Sequence, residues 1–211
     1  MEIRPLGETF GTEITGLDLS QPLDNATFAR VYDAFLNRQV LCFRGQKMEP
    51  GAFVTFSRRF GELVPHDNRQ FRLAAHPEIL VLSNDVDVDG NQIGVIDAGD
   101  TWHSDHQFKE RPGKATILLS LKNPSQGGDT DFTDQVAAYD ALPAETKARI
   151  GGLRCIHSIS KLKNKRAPIS GARKGAEAFY KRQETEIPDV THPLVRVHPA
   201  TGRKVLYCSP R

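Results

Sequence analysis

The stretch that decides the reading of this chain is Trp102-His103-Ser104-Asp105, followed by the apolar run Ala115-Thr116-Ile117-Leu118-Leu119-Ser120-Leu121 and then Gly127-Gly128-Asp129-Thr130. In an extended strand, side chains alternate between faces, so His103 and Asp105 at i and i+2 point the same way. A histidine and a carboxylate sharing a face supply two of the three protein ligands of a facial triad, the arrangement that holds non-haem Fe(II) and leaves positions open. The bland alternative is a strand-end histidine paired with a carboxylate. By the same alternation, His106 is expected to face away from His103, and Trp102 to pack into the core.

Working outward, 211 residues are enough for one domain with its own core. The charged fraction is 26% and the net charge +2, from 28 basic and 26 acidic residues, which gives no reason to expect a nucleic-acid or membrane partner. Cys42, Cys155 and Cys208 are odd in number and widely spaced. They form neither a zinc spacing nor a disulfide framework, so a reducing cytoplasm is the expected setting. Met1 to Pro5 lacks the apolar stretch of a signal peptide, and no apolar run approaches the ~20 residues of a membrane helix.

Asp24 or Asn25 can cap a helix running to about Arg38, with Phe28, Val31 and Phe35 on one face. Val40 to Phe43 reads as a short buried strand. Pro50 suits the first turn of a second helix, whose core face is Phe53, Val54, Phe56 and Phe60, with Gly61 as the stop. Ile79 to Leu82 reads as a strand, and Asp87-Val88-Asp89-Gly90-Asn91 as a turn before Ile93. Residues 94–101 read as a loop feeding the strand that bears His103. Asp134 to Leu142 is a helix, and Pro143 starts another that ends near Gly151-Gly152. Residues 161–186 are rich in Lys and Arg and read as a surface loop or lid. Val195 to Val197 and Lys204 to Cys208 read as paired strands around the turn Pro199 to Gly202. Many short strands with two early helices fit an α+β class built on a jelly-roll core.

Further segments carry a resemblance. Thr101 to Phe108, Gly127 to Phe132 and Ala137 to Pro143 combine with Val40-Leu41-Cys42-Phe43-Arg44-Gly45-Gln46, Phe60-Gly61-Glu62-Leu63, His192-Pro193-Leu194-Val195-Arg196 and His198-Pro199-Ala200-Thr201-Gly202-Arg203-Lys204. Together they resemble the taurine dioxygenase / 2,4-dichlorophenoxyacetate dioxygenase family of Fe(II)- and 2-oxoglutarate-dependent oxygenases, over nearly the whole chain. The resemblance implies a double-stranded β-helix of the cupin type, in one domain over residues 1–211. It implies Fe(II) as cofactor, 2-oxoglutarate and O₂ as co-substrates, and hydroxylation of a small organic acid such as a sulfonate, aryloxyalkanoate or sulfate ester, with succinate and CO₂ as co-products.

The resemblance also assigns roles. His103 and Asp105 become iron ligands. Thr130 sits where the family has a threonine that binds the co-substrate carboxylate. His66, with Arg69 beside it, sits where a substrate anion is held. The family's second iron-binding histidine and its 2-oxoglutarate arginine lie downstream of the segment that ends here near Arg211. The chain is therefore expected to be a truncated form with an incomplete jelly roll, an open sheet edge that an oligomer could bury, and no substantial 2-oxoglutarate turnover. The rival expectation is a catalytically inactive short form that only binds or interacts. His157, His192 and His198 are the nearby histidines that could replace the missing ligand, and Arg196 and Arg203 the nearby arginines. The family motif contains His192 and His198 without using them as ligands.

Overall fold

The computed structural model describes residues 1–96, 99, 101–158 and 187–209. The lid expected at 161–186 lies outside the described residues. An N-terminal unit is built first. Strand β1 (Glu2–Pro5) pairs antiparallel with β2 (Thr12–Thr15), and β2 pairs in parallel with β3 (Leu41–Cys42), inside the short strand expected at 40–43. Between β2 and β3 runs α1 (Asn25–Arg38). Asp24 caps it: its carboxylate accepts from the Thr27 backbone N–H at 2.8 Å and from the Thr27 hydroxyl at 2.7 Å. Helix α2 (Pro50–Arg58) starts with proline in its first turn, where a missing N–H costs nothing. It stops before Gly61, whose φ of 148° disfavours any other residue.

These elements enclose one core of Ile14, Leu19, Val31, Ala34, Phe56 and Phe60, with Val31 fully buried. The Phe60 ring meets Phe28, Phe35 and Phe56 edge-on, with centroids 5.2, 5.6 and 5.6 Å away. That edge-to-face geometry suits the aromatic quadrupole and adds about 0.5–1.5 kcal/mol per pair beyond burial. Arg38 ties the β1–β2 loop down by donating to the carbonyls of Gly7 at 2.6 Å and Gly11 at 3.1 Å.

A single helical turn (Arg69–Phe71) leads into β4 (Arg72–Leu73), which pairs antiparallel with β5 (His76–Leu80). The strand expected at 79–82 thus begins and ends earlier, and Leu82 makes only an isolated bridge to Val95. The turn at 87–91 is as read: Val86 bridges Gln92, and the Asp87 carboxylate accepts from the backbone N–H groups of Asp89 and Asn91. Beyond it, α3 (Gln135–Asp140) is capped by Asp134, and α4 (Ala144–Ile150) follows Pro143. Strand β6 (Arg154–His157) pairs antiparallel with β7 (Val190–Pro193), and β8 (Val195–Val197) with β9 (Lys204–Leu206), which packs on α3. The architecture is α+β, with one three-stranded sheet and three two-stranded ones among the described residues. No described helix is long and apolar enough to cross a membrane.

One expectation changes. Residues 101–133 form no strand, so His103 and Asp105 lie on irregular backbone and not on a β-strand. An extended segment becomes a strand only when a neighbour accepts and donates its backbone hydrogen bonds, and no described segment pairs with this one. Trp102, expected in the core, is 54% exposed.

Candidate functional site

His103 and Asp105 are brought together without the strand. His103 is half-buried, and its Nδ1 lies 2.6 Å from the carbonyl oxygen of Thr101. A carbonyl can only accept, so Nδ1 carries the proton and donates. The other ring nitrogen, Nε2, then faces the carboxylate Oδ1 of Asp105 at 3.1 Å. Two lone pairs facing each other attract only through a cation between them. A proton or a metal ion shared between Nε2 and Oδ1 would supply it. The second Asp105 oxygen accepts from the Thr116 hydroxyl at 2.7 Å. The hydrogen bond from His103, joined by that from Thr116 and the nearby positive charge and opposed by burial, holds the Asp105 carboxyl down to about 2.

The donor chemistry fits a divalent metal. A metal-binding histidine commonly gives its far N–H to a backbone carbonyl, which fixes the tautomer and aims the other lone pair at the metal. His103 does this through Thr101, and Asp105 contributes an ionised oxygen beside that lone pair. Among the described residues no group of three or more His, Cys, Asp or Glu side chains is gathered to hold a metal ion.

His66 reaches the same neighbourhood from the loop after α2. Its ring lies 5.7 Å from that of His106, and both feel the charges of Asp67 and Asp105. The Asn68 backbone N–H donates to His66 Nδ1 at 3.0 Å. Nδ1 is therefore the lone-pair nitrogen, and the proton of the neutral ring sits on Nε2 as a donor. Arg72 fixes the loop by donating to the His66 carbonyl from Nε at 2.6 Å and from Nη2. Burial, then repulsion from His106, pushes the His66 pKa below its ordinary value, against the pull of Asp67 and Asp105.

His106 was expected to turn away, and the structure turns it toward His66. Its φ is +55°, which breaks strand alternation at that residue. Its ring also meets Phe108 edge-on at 5.9 Å. Arg69 opens the helical turn after His66 and its side chain is exposed. Thr130 is exposed on irregular backbone, and no hydrogen bond joins it to His103 or Asp105 among the described residues. Residue patterning did not flag Thr116, Asn68 and Arg72, which hold Asp105 and His66. Nothing local marks them, because each acts on a residue brought near by the fold.

The segment is moored to the N-terminal core at two points. Lys114 donates to the Phe60 carbonyl at 2.9 Å, and Ile117 packs against the buried cluster. Next to the histidines lies an open cavity of about 660 Å³, lined in part by Asp67, Phe108, Lys109, Val190 and His192. Lys109 bridges Asp67 at 3.1 Å across it.

The model for the taurine catabolism dioxygenase TauD, TfdA family matches residues 2–211. The chain is 32% identical over 210 residues to an (S)-phenoxypropionate/alpha-ketoglutarate-dioxygenase of Sphingobium herbicidovorans, covering 97% of this chain and 69% of that protein. It is 31% identical to an alpha-ketoglutarate-dependent 2,4-dichlorophenoxyacetate dioxygenase of Cupriavidus pinatubonensis, covering 96% and 71%. A solved taurine dioxygenase from Burkholderia xenovorans superposes with a TM-score of 0.75 at 31% identity, over 99% of this chain and 64% of that one. The chain thus spans roughly two thirds of the length of these relatives. The family match and both kinds of similarity extend over almost the whole chain, and on that ground the chain belongs to the TauD/TfdA family of 2-oxoglutarate-dependent dioxygenases.

Proposed function

We propose that this chain carries the His-x-Asp half of an Fe(II) site in a 2-oxoglutarate-dependent dioxygenase of jelly-roll architecture that hydroxylates a small organic acid. The observation that supports it is the polarised pair. His103 Nδ1–H is spent on Thr101, which leaves Nε2 facing the ionised Asp105 oxygen at 3.1 Å. Fe(II) held between His103 and Asp105, with 2-oxoglutarate as its partner, would supply the oxidising chemistry on O₂. The chain's own residues do the rest. Thr101 sets the His103 tautomer. Thr116 orients the Asp105 carboxylate, so that one oxygen stays free for the metal. His66 presents an Nε2–H donor suited to an acceptor oxygen of a sulfonate, carboxylate or sulfate ester. Arg69 would add a charge on the same side, and the Thr130 hydroxyl would bind a 2-oxoglutarate carboxylate oxygen.

Calorimetry with Fe(II) under anaerobic conditions, or with Mn(II), tests this. The unaltered chain should bind the metal, and His103→Ala or Asp105→Ala should abolish binding, while His106→Ala changes it little. Unchanged affinity in either of the first two variants removes the reading. One observation favours a second reading, in which the chain binds metal or an organic acid without turnover: no group of three or more donors is gathered among the described residues. Succinate release with added iron and 2-oxoglutarate separates the two.

A further inference from the structure

The turn that follows Asp105 has little to hold it from within. It belongs to the stretch 101–133, which forms neither strand nor helix, and its backbone closes through the Lys109 N–H on the His106 carbonyl at 2.9 Å. Yet Gln107 at its centre is buried, and a buried amide needs partners. Gln107 Nε2 donates to the Ser209 hydroxyl at 2.7 Å, and that hydroxyl donates back to Gln107 Oε1 at 3.0 Å. At the end of the turn, His192 Nε2 lies 2.9 Å from the Lys109 carbonyl oxygen. A carbonyl only accepts, so Nε2 carries the proton and donates. The His192 ring is itself wedged in place, with the Tyr207 ring edge-on at 5.5 Å and the His157 ring at 5.3 Å. Both struts stand on one ledge. Strand β7 carries His192, and the Tyr207 N–H donates to the Leu194 carbonyl at 2.7 Å, which lays the segment leading to Ser209 alongside. The struts thus reach the turn from 83 and 102 positions away in the chain.

On the metal reading of His103 and Asp105, we propose that His192 and Ser209 are positioning residues for the candidate site. They hold the turn over residues 105–108 so that Asp105 keeps its place against His103, and His106 its place against His66. The need arises from the backbone. A carboxylate on an irregular segment must otherwise be ordered at the moment of binding, and that ordering subtracts from affinity. Two hydrogen bonds from an ordered ledge remove the freedom beforehand. The same turn passes the constraint on, because the Lys109 ammonium bridges Asp67 at 3.1 Å, next to His66. His192 therefore acts on the metal pair through the Lys109 carbonyl and not as a replacement ligand.

Amide hydrogen exchange and Mn(II) calorimetry on the full chain test this together. His192→Phe keeps a ring and removes the donor. Exchange at the Lys109 N–H should quicken about fivefold, the loss of one net hydrogen bond, while exchange at Val31 in α1 stays the same. Mn(II) affinity should fall about tenfold. His192→Gln, which returns an N–H donor, should recover most of both losses. Ser209→Ala should move both readouts in the same direction as His192→Phe. A histidine that only stabilised the fold would quicken Lys109 and Val31 alike and would be replaced no better by Gln than by Phe. That pattern overturns the proposal, as does unchanged Lys109 exchange, or a loosened turn with unchanged Mn(II) affinity. If His192→Phe does not fold, Ser209→Ala carries the same comparison from outside the strand. An unaltered chain that binds no Mn(II) ends the metal reading by itself, and Lys109 exchange then decides alone whether His192 and Ser209 hold the turn.

Discussion

The N-terminal unit and the segment that carries the candidate site are built on opposite principles. Residues 1–60 hold a closed core, with Ile14 and Val31 essentially inaccessible, and α1 and α2 each start on a local signal, the Asp24 cap and Pro50. Residues 101–133 contain no strand or helix and leave Leu118, Leu121 and Phe132 exposed. The same chain thus places its rigidity in one region and its chemistry in another. The site segment borrows order through Lys114 on the Phe60 carbonyl and through Ile117 on the core. Strength there comes from a few polar contacts and not from burial.

The sharpest way to break that contrast is to open the core. Phe60→Ala removes the ring at the centre of the aromatic cluster and should cost about 3–5 kcal/mol in denaturant unfolding. A loss no larger than that of a surface substitution would mean the N-terminal unit is not the stable part. The next effect is local. Asp24→Ala deletes the cap of α1 and should cost about 1 kcal/mol, because the Thr27 N–H loses its acceptor. Asp134→Ala removes two backbone contacts at the start of α3 and should cost a similar amount. A much smaller value there would mark α3 as held by β9 and not by its cap.

The third probe is pH. Asp105 has its pKa held to about 2 in the folded chain, below the ordinary value of about 3.9. A group with a depressed folded pKa contributes stability above its unfolded pKa and loses it as pH falls toward the folded one. The contribution is therefore complete above pH about 4 and fades between about 4 and 2. The Asp105 side chain is 49% exposed, so screening keeps the effect small. Asp105→Asn should flatten that acid limb by lowering stability slightly above pH about 4, while leaving it nearly unchanged below pH about 2. An acid limb that keeps its slope in the variant would assign the effect to other carboxylates. The smallest expected change is at Leu121, which is 86% exposed. Leu121→Ser should shift stability by no more than about 0.5 kcal/mol. A larger loss would show that something covers Leu121 in solution.

These regions also differ in how far the sequence could be read. The helices at 25–38, 50–58, 135–140 and 144–150 were legible because caps, prolines and apolar periodicity act within a few residues. The hairpin around Pro199 to Gly202 was legible for the same reason. The strands β1, β2, β4, β6 and β7 were not singled out. Their short sequences carry little alternation, and their partners lie up to about 40 residues away.

The candidate site divides along the same line. Sequence by itself determined that a histidine and a carboxylate two residues apart could share one ligand, and the resemblance it carried pointed to the TauD/TfdA family. It also placed His66 on the loop after α2, which the fold then brings near His106. Only the tertiary structure decided that Thr101 sets the His103 tautomer, that Thr116 steadies Asp105, and that His106 turns toward His66 through a positive φ. The physical reason is the range of the forces involved. Caps and periodicity act over one or two turns of chain, whereas a hydrogen bond between distant residues depends on distance in space, which no local pattern encodes.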